Sequence, residues 1–159
     1  MAKEIERKFL VTSEDWKTDA DAGTAMRQGY LCLEGDRTVR VRLTDDSAKL
    51  TIKGARQGIS RSEYEYGIPE DDAREMLDSL CRGTPIVKTR YRVEHGGHTW
   101  EVDVFEAANE GLVLAEVELD SEDETVELPD WAGREVTDDE RYYNAFLARQ
   151  PFGSWDSGD

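Results

Sequence analysis

Apolar and polar residues alternate with a period of two through most of the chain. Residues 3–11, K-E-I-E-R-K-F-L-V, place Glu4, Glu6 and Lys8 on one side of an extended strand and Ile5, Arg7 and Phe9 on the other. The same rule sorts six further segments. In 38–43, Arg40 and Arg42 oppose Val39, Val41 and Leu43; in 49–53, Lys49, Thr51 and Lys53 oppose Leu50 and Ile52. In 61–66, Arg61, Glu63 and Glu65 oppose Ser62, Tyr64 and Tyr66; in 87–93, Lys88, Arg90 and Arg92 oppose Val87, Tyr91 and Val93. In 99–105, Glu101 and Asp103 oppose Trp100, Val102 and Val104; in 113–119, Glu116 and Glu118 oppose Val113, Ala115, Val117 and Leu119. Residues 26–33 supply an eighth strand. Connections are predicted at Glu34-Gly35-Asp36, Asp45-Asp46-Ser47, Gly54 to Gly58 and His95 to His98, where turn-forming residues cluster. Eight antiparallel strands on short turns predict a barrel or a sandwich.

Two segments carry helical spacing instead. Pro69 and three acidic residues open a helix with Ala73, Met76, Leu77, Leu80 and Cys81 on one face, expected to end at Gly83. Asp138-Asp139-Glu140 opens a second, carrying Tyr142, Tyr143, Phe146 and Leu147. The fold class is therefore mainly β, with residues 1–150 as a single domain and 151–159 as a loose tail.

Composition narrows the function. The 159 residues hold 20 basic and 36 acidic side chains, a net charge of −16. Such a chain offers no general attraction to nucleic acid or an anionic membrane, although one basic cavity remains compatible with it. No apolar run approaches the ~18 residues of a membrane span, and the N-terminus has no signal-peptide stretch, so a cytoplasmic location is expected. Cys32 and Cys81 are expected as reduced thiols. His95 and His98 flank Gly96-Gly97 and are expected as hairpin residues. No glycine-rich phosphate loop precedes a helix.

The charged faces carry the chemistry. Glu4 and Glu6, Glu63 and Glu65, Glu101 and Asp103, and Glu116 and Glu118 are acidic pairs on single strand faces; Arg40 with Arg42, and Lys88 with Arg90 and Arg92, are basic ones. Like charges about 7 Å apart repel, so their repetition requires a use, yet alternation alone leaves open whether these faces meet solvent or an interior. With Lys8 and Lys53 the proposed interior holds eight acids and seven bases, close to neutral, and the rest of the chain carries the excess. Arginine forks and lysines bind phosphate oxygens, and carboxylates hold hard cations such as Mg²⁺ or Mn²⁺.

The opening E-I-E-R-K resembles the signature of the CYTH superfamily, the triphosphate tunnel metalloenzymes. T-V-R-V-R, L-T-I-K-G, R-S-E-Y-E-Y, V-K-T-R-Y-R, W-E-V-D-V-F and L-A-E-V-E-L are similar to family strands in family order, and W-A-G-R-E-V-T with R-Y-Y-N is similar to its closing segment. The resemblance spans residues 2–148 and is to the short prokaryotic inorganic triphosphatases. It implies an eight-stranded antiparallel closed barrel with its charged faces in a tunnel, helices outside, and a C-terminal helix closing one end. By position it implies Lys8, Arg40, Arg42, Lys53, Lys88, Arg90 and Arg92 as the phosphate grip. Glu4, Glu6, Asp103, Glu116 and Glu118 are implied as metal ligands, with Glu63, Glu65 and Lys88 as catalytic groups. Tyr30 is a tunnel candidate in this frame. The implied reaction is Mg²⁺- or Mn²⁺-dependent hydrolysis of tripolyphosphate. A class IV-type adenylate cyclase, a thiamine or nucleoside triphosphate hydrolase, and a non-catalytic polyphosphate-binding module are the alternatives. A small triphosphate-containing substrate is the implied partner, with a homodimer as a further possibility and neither nucleic acid nor membrane expected.

Overall fold

The computed structural model describes residues 3–34 and 36–155. Gly35 of the first connection and residues 156–159 of the expected tail lie outside the described residues. The strands are β1 (Lys3–Val11), β2 (Thr24–Cys32), β3 (Thr38–Leu43), β4 (Ala48–Gln57), β5 (Ser60–Gly67), β6 (Arg82–His95), β7 (His98–Glu106), β8 (Val113–Glu118) and β9 (Ala132–Glu135). Helix α1 (Glu70–Ser79) lies between β5 and β6, and α2 (Asn144–Arg149) follows β9.

Antiparallel pairing runs β5-β4-β3-β2-β6-β7-β8-β1, and β1 closes the barrel by pairing residues 3–5 with β5. The second edge of β1 is shared, because its far end pairs with β9. Between the two, Val136 N–H donates to the Lys8 carbonyl and Lys8 N–H donates to Thr137 Oγ1, so the seam is bridged by the closing segment. All eight expected strands are present. β9 was not expected: four residues of A-G-R-E hold too few side chains for a visible period.

The outer faces build two apolar layers. Phe9, Val93, Trp100, Val102, Ala115 and Val117 pack with Trp16 and Trp131, which come from a 3-10 turn (Asp15–Asp19) and from the chain before β9. Burying a side chain such as Phe9 contributes about 2–3 kcal/mol. Ala73 and Leu77 of α1, with Met76, cover Val41, Ala48 and their neighbours on β2–β4. The helix stops at Leu80 rather than Gly83. Leu80, expected on the apolar face, is exposed, and both Leu80 and Cys81 N–H groups donate to the Met76 carbonyl, ending the helix. Both cysteines are free thiols.

A third apolar cluster lies across one end of the barrel. Tyr30, Ile86, Phe105 and Leu114 share the parity of the charged positions, yet they pack with Leu112, Val136, Tyr142, Leu147 and Ala148. The inner surface is therefore divided into an apolar plug beneath α2 and a charged remainder. The second helix is shorter than its spacing suggested. Residues 140–142 form a 3-10 turn, and Tyr143 precedes α2 in extended conformation. The chain expected to loosen after Gln150 instead packs as far as Trp155, whose ring meets Tyr142, Phe146 and Phe152. Among the described residues no helix is long and apolar enough to cross a membrane.

Gly83 belongs to β6 and fixes how α2 sits. Its φ is +76°, and a Cβ there would lie 2.4 Å from the Ala148 carbonyl oxygen. Gly83→Ala should lower stability by about 2–3 kcal/mol, through left-handed strain and displacement of α2. Urea denaturation checks this, and an unchanged midpoint would contradict this docking of the helix.

Candidate active site

Beyond the plug, the inner faces enclose a cavity of about 570 Å³. Glu4, Glu6 and Lys8 of β1, Arg40 and Arg42 of β3, Lys53 of β4, Glu63 and Glu65 of β5, Arg90 of β6, Glu101 of β7, and Glu116 and Glu118 of β8 all line it. Their shared parity points them inward, with outward neighbours on β1, β3, β6, β7 and β8 held in an apolar layer, although Tyr64 and Tyr66 of β5 are exposed.

Cations and carboxylates are interleaved. Lys53 Nζ donates to both oxygens of Glu4 at 2.9 and 3.0 Å and lies 3.5 Å from Glu63. Burial pushes the Glu4 carboxyl up, but Lys53 and a hydrogen bond with Glu63 outweigh it and pull it to about 2. Glu63 bears the converse. Burial and its hydrogen bond to Glu4 raise it to about 7. A second carboxyl pair joins Glu6 and Glu116. Burial, then Glu116 and Glu4, push Glu6 well above the usual carboxylate range. For Glu116 burial is outweighed by Lys8 and Arg90, which hold it well below. In register, Glu6 faces Glu118 and Glu116 faces Glu101, so like charges also meet directly across the ladders.

Three expected residues lie elsewhere. Lys88 and Asp103 are fully buried behind the cavity wall, against the plug. Lys88 Nζ donates to Asp103 at 2.7 Å and sits 5.4 Å from the Phe105 ring centre. Arg90 grips the same carboxylate through two bonds of 2.7 and 2.9 Å. Asp103 was expected as a metal ligand. Both its oxygens are taken by cations, because it stands between Arg90 on one ladder and Leu114 on the other, and a buried carboxylate there requires partners. It orients Arg90 and Lys88 instead. Burial lowers the Lys88 ammonium to about 7 despite Asp103, and burial together with Arg40 lowers the Arg42 guanidinium to about 9. Arg92, expected in the phosphate grip, is exposed and outside the cavity lining, with its backbone N–H donating to Asp21. Its cross-strand partner Glu101 does line the cavity, so Arg92 stands at the rim.

Several functional neighbours were missed. Gln28 Oε1 accepts from Arg42 Nε at 2.8 Å, and Gln28 Nε2 donates to Asn144 Oδ1 at 3.1 Å. Lys8 Nζ donates to the Tyr142 carbonyl at 3.1 Å and lies 5.4 Å from the Tyr143 ring centre. The closing segment is thus tied to the cations. Its R-Y-Y-N motif was visible in the sequence, but its contacts were not. Tyr30, the tunnel candidate, lines the cavity at its apolar edge. Arg56 and Arg61 also line it. Arg61 shares the parity of Glu63 and was legible; Arg56 has the outward parity and was not. His95 and His98 occupy the hairpin ends and pair with Glu127 and Glu124 of the following acidic loop.

Comparisons with known proteins agree with this geometry. The CYTH domain matches residues 2–144. An inorganic triphosphatase of Acetivibrio thermocellus is 49% identical over 152 residues, covering 96% of this chain and 97% of that protein. One from Nitrosomonas europaea is 40% identical over 151 residues, covering 91% and 96%. The crystal structure of the inorganic triphosphatase NE1496 superposes with a TM-score of 0.66 at 34% identity, covering 93% of this chain and 95% of that one. With a matching domain across nine-tenths of its length, a closed eight-stranded barrel and a charged cavity, this chain belongs to the CYTH family.

Proposed function

We propose that the chain hydrolyses inorganic triphosphate to pyrophosphate and orthophosphate in this cavity, with Mg²⁺ or Mn²⁺. The observation that carries the reading is the meeting of two opposed sets in one enclosure. Lys8, Arg40, Arg42, Lys53 and Arg90 provide a phosphate-binding wall, and the carboxyl groups of Glu6, Glu116 and Glu118 line the cavity with it. Relatives named inorganic triphosphatases support the substrate.

The carboxylates fit a hard divalent cation. Burial and Glu4 raise Glu118 as well, a direction that a nearby cation would reverse. Among the described residues no three acidic, histidine or cysteine side chains converge closely enough to hold an ion alone. Mg²⁺ commonly takes one or two carboxylates and completes its shell with waters and phosphate oxygens, which suits a metal arriving with its substrate. Such an ion supplies charge neutralisation and acidifies water.

The chain's own groups do the rest. Arg42 uses Nε on Gln28 and keeps its outer nitrogens for phosphate, while Arg40 Nε has no protein partner. Asp103 fixes the Arg90 fork. Glu65 is aligned by the Thr51 hydroxyl at 2.9 Å. Glu63, raised to about 7, is suited to take a proton from attacking water near neutral pH. The water oxygen bonds to the terminal phosphorus, the bridging P–O bond breaks, and pyrophosphate leaves with the electron pair.

Phosphate release from tripolyphosphate should require Mg²⁺ or Mn²⁺ and stop with chelator. Glu116→Gln should lower kcat about 100-fold or more at saturating metal, a loss of roughly 3 kcal/mol in the transition state. Near wild-type kcat in that variant would refute the assignment.

The raised Glu63 makes the empty protein sensitive to pH. A carboxyl raised on folding stabilises fully below its unfolded pKa, about 4.3, and loses that contribution as pH rises through its folded value of about 7. Metal-free wild type should therefore lose stability from pH 5 to pH 8, and Glu63→Gln should flatten that slope in urea titrations. Parallel slopes would place the titration elsewhere.

Arg42 is charged at a cost when empty, since burial and Arg40 both disfavour its proton. Arg42→Ala should bind tripolyphosphate more weakly while the empty protein melts no lower than wild type. Melting curves with and without tripolyphosphate and Ca²⁺ decide this. A much lower empty melting point with an undiminished ligand shift would make Arg42 structural.

A further inference from the structure

The β4–β5 hairpin contains an irregularity that alternation does not anticipate. The ladder pairs Lys53 with Glu63, then shifts register before pairing Arg56 with Arg61. This β-bulge turns Arg56 inward, although its parity matches the outward Ile52. Two arginines are thereby set directly opposite each other on the cavity wall, where like charges repel.

Neither arginine is held in an ion pair, although Arg61 stands across the ladder from Glu4, whose charge favours its own. Among the described residues no carboxylate lies within ion-pair distance of either, in a chain with 36 acidic residues. Arg61 Nε donates to the Gly54 carbonyl at 3.0 Å, and Arg56 Nε is buried with no partner. The remaining purchase on Arg56 is the Tyr143 ring, 4.9 Å from its guanidinium carbon. Lys8 contacts that same ring. Tyr143 is held in turn by its hydroxyl, which donates to the Thr137 carbonyl at 2.8 Å. Arg56, re-aimed by a bulge, backed by an aromatic ring and left with a buried Nε unpartnered, adds an unpaired cation beside Arg61 that an anion could take up. Its wide fork of donors suits tetrahedral phosphate oxygens.

We propose that Arg56 and Arg61, with Tyr143 as their platform, form an additional subsite for a single phosphate group beside the triphosphate grip. The ligand is either free orthophosphate or the end group of a chain one phosphate longer than tripolyphosphate. The location of the subsite rests on the reading of the cavity as a triphosphate site.

Equilibrium dialysis of labelled orthophosphate tests the subsite directly. The full chain should bind it, Arg92→Gln, outside the cavity lining, should retain it, and Arg56→Gln combined with Arg61→Gln should weaken it tenfold or more. Arg56→Lys keeps the charge without the fork and should fall between, and it serves alone if the double variant does not fold. Kinetics separate the sources. Orthophosphate inhibition of wild type that is relieved in the double variant assigns the subsite to the free ion. A KM for tetrapolyphosphate below that for tripolyphosphate, equalised in the double variant, assigns it to an end group. Equal phosphate binding by wild type and double variant overturns the subsite. Absence of tripolyphosphate hydrolysis in wild type overturns the reaction instead, and leaves arginine-dependent phosphate binding to be judged by dialysis.

Discussion

The carboxylate of Asp103, shared between Lys88 and Arg90, stands where the barrel changes character. On one side Phe105, Ile86 and Leu114 fill the interior as an ordinary core; on the other the cavity begins. A cation cannot be held against an apolar plug without a counter-charge, since an isolated buried ion costs several kcal/mol even after relaxation. Asp103 supplies that counter-charge to two cations at once and fixes their direction. Arg90 then reaches forward to Glu101 and Glu116, at 3.4 and 3.8 Å. Lys88 reaches sideways to Asn144, and through it to Gln28 and Arg42. Five strands, β2, β3, β6, β7 and β8, and the closing segment are linked through this one buried anion.

The closing segment depends on the same economy. Tyr142 offers a carbonyl to Lys8, Tyr143 a ring to Lys8 and Arg56, and Asn144 an amide oxygen to Gln28 and Lys88. Each is a neutral acceptor or π-face presented to a cation. Such partners hold the cations in place without neutralising them, as a carboxylate would. These contacts add no further negative charge to the wall, and they fix its geometry before any ligand arrives, which is the form of preorganisation that electrostatic catalysis requires.

Period-two alternation made the eight strands and most of the cavity wall legible, because each inward charge at Glu4, Arg40, Glu63 or Glu116 has an outward apolar neighbour that fixes the register. The rule cannot tell how far along the inner face water reaches. Asp103 has the same parity as Glu101 and was expected to hold metal, yet it lies two residues deeper, where its partners must be cations. Arg92 lies two residues beyond Arg90 and stands at the rim, outside the cavity lining. Neither depth nor exit is written in parity. β9 and the 3-10 turn before α2 were illegible for another reason: they are shorter than one full repeat of the pattern that would announce them.

Arg56 shows a third limit. A bulge adds one residue to one strand and reverses the facing of everything beyond it, so parity misassigns the chain from that point to the turn. The bulge sits at Gly54-Ala55, where glycine's freedom and a small side chain make the kink inexpensive. The same two residues broke the hydrophobic pattern and suggested a connection, although the ladder continues to Gln57. Arg56 faces the cavity because of that irregularity, and it repels Arg61 there, with Glu4 across the ladder from Arg61 but no carboxylate in an ion pair with either. A stability-optimised hairpin would keep the alternation and turn Arg56 to solvent. A fold already carrying like-charge contacts at Glu6, Glu63 and Arg42 has instead placed one more repulsion at the wall where an anion relieves it, so the cost of each is lowest when the cavity is full.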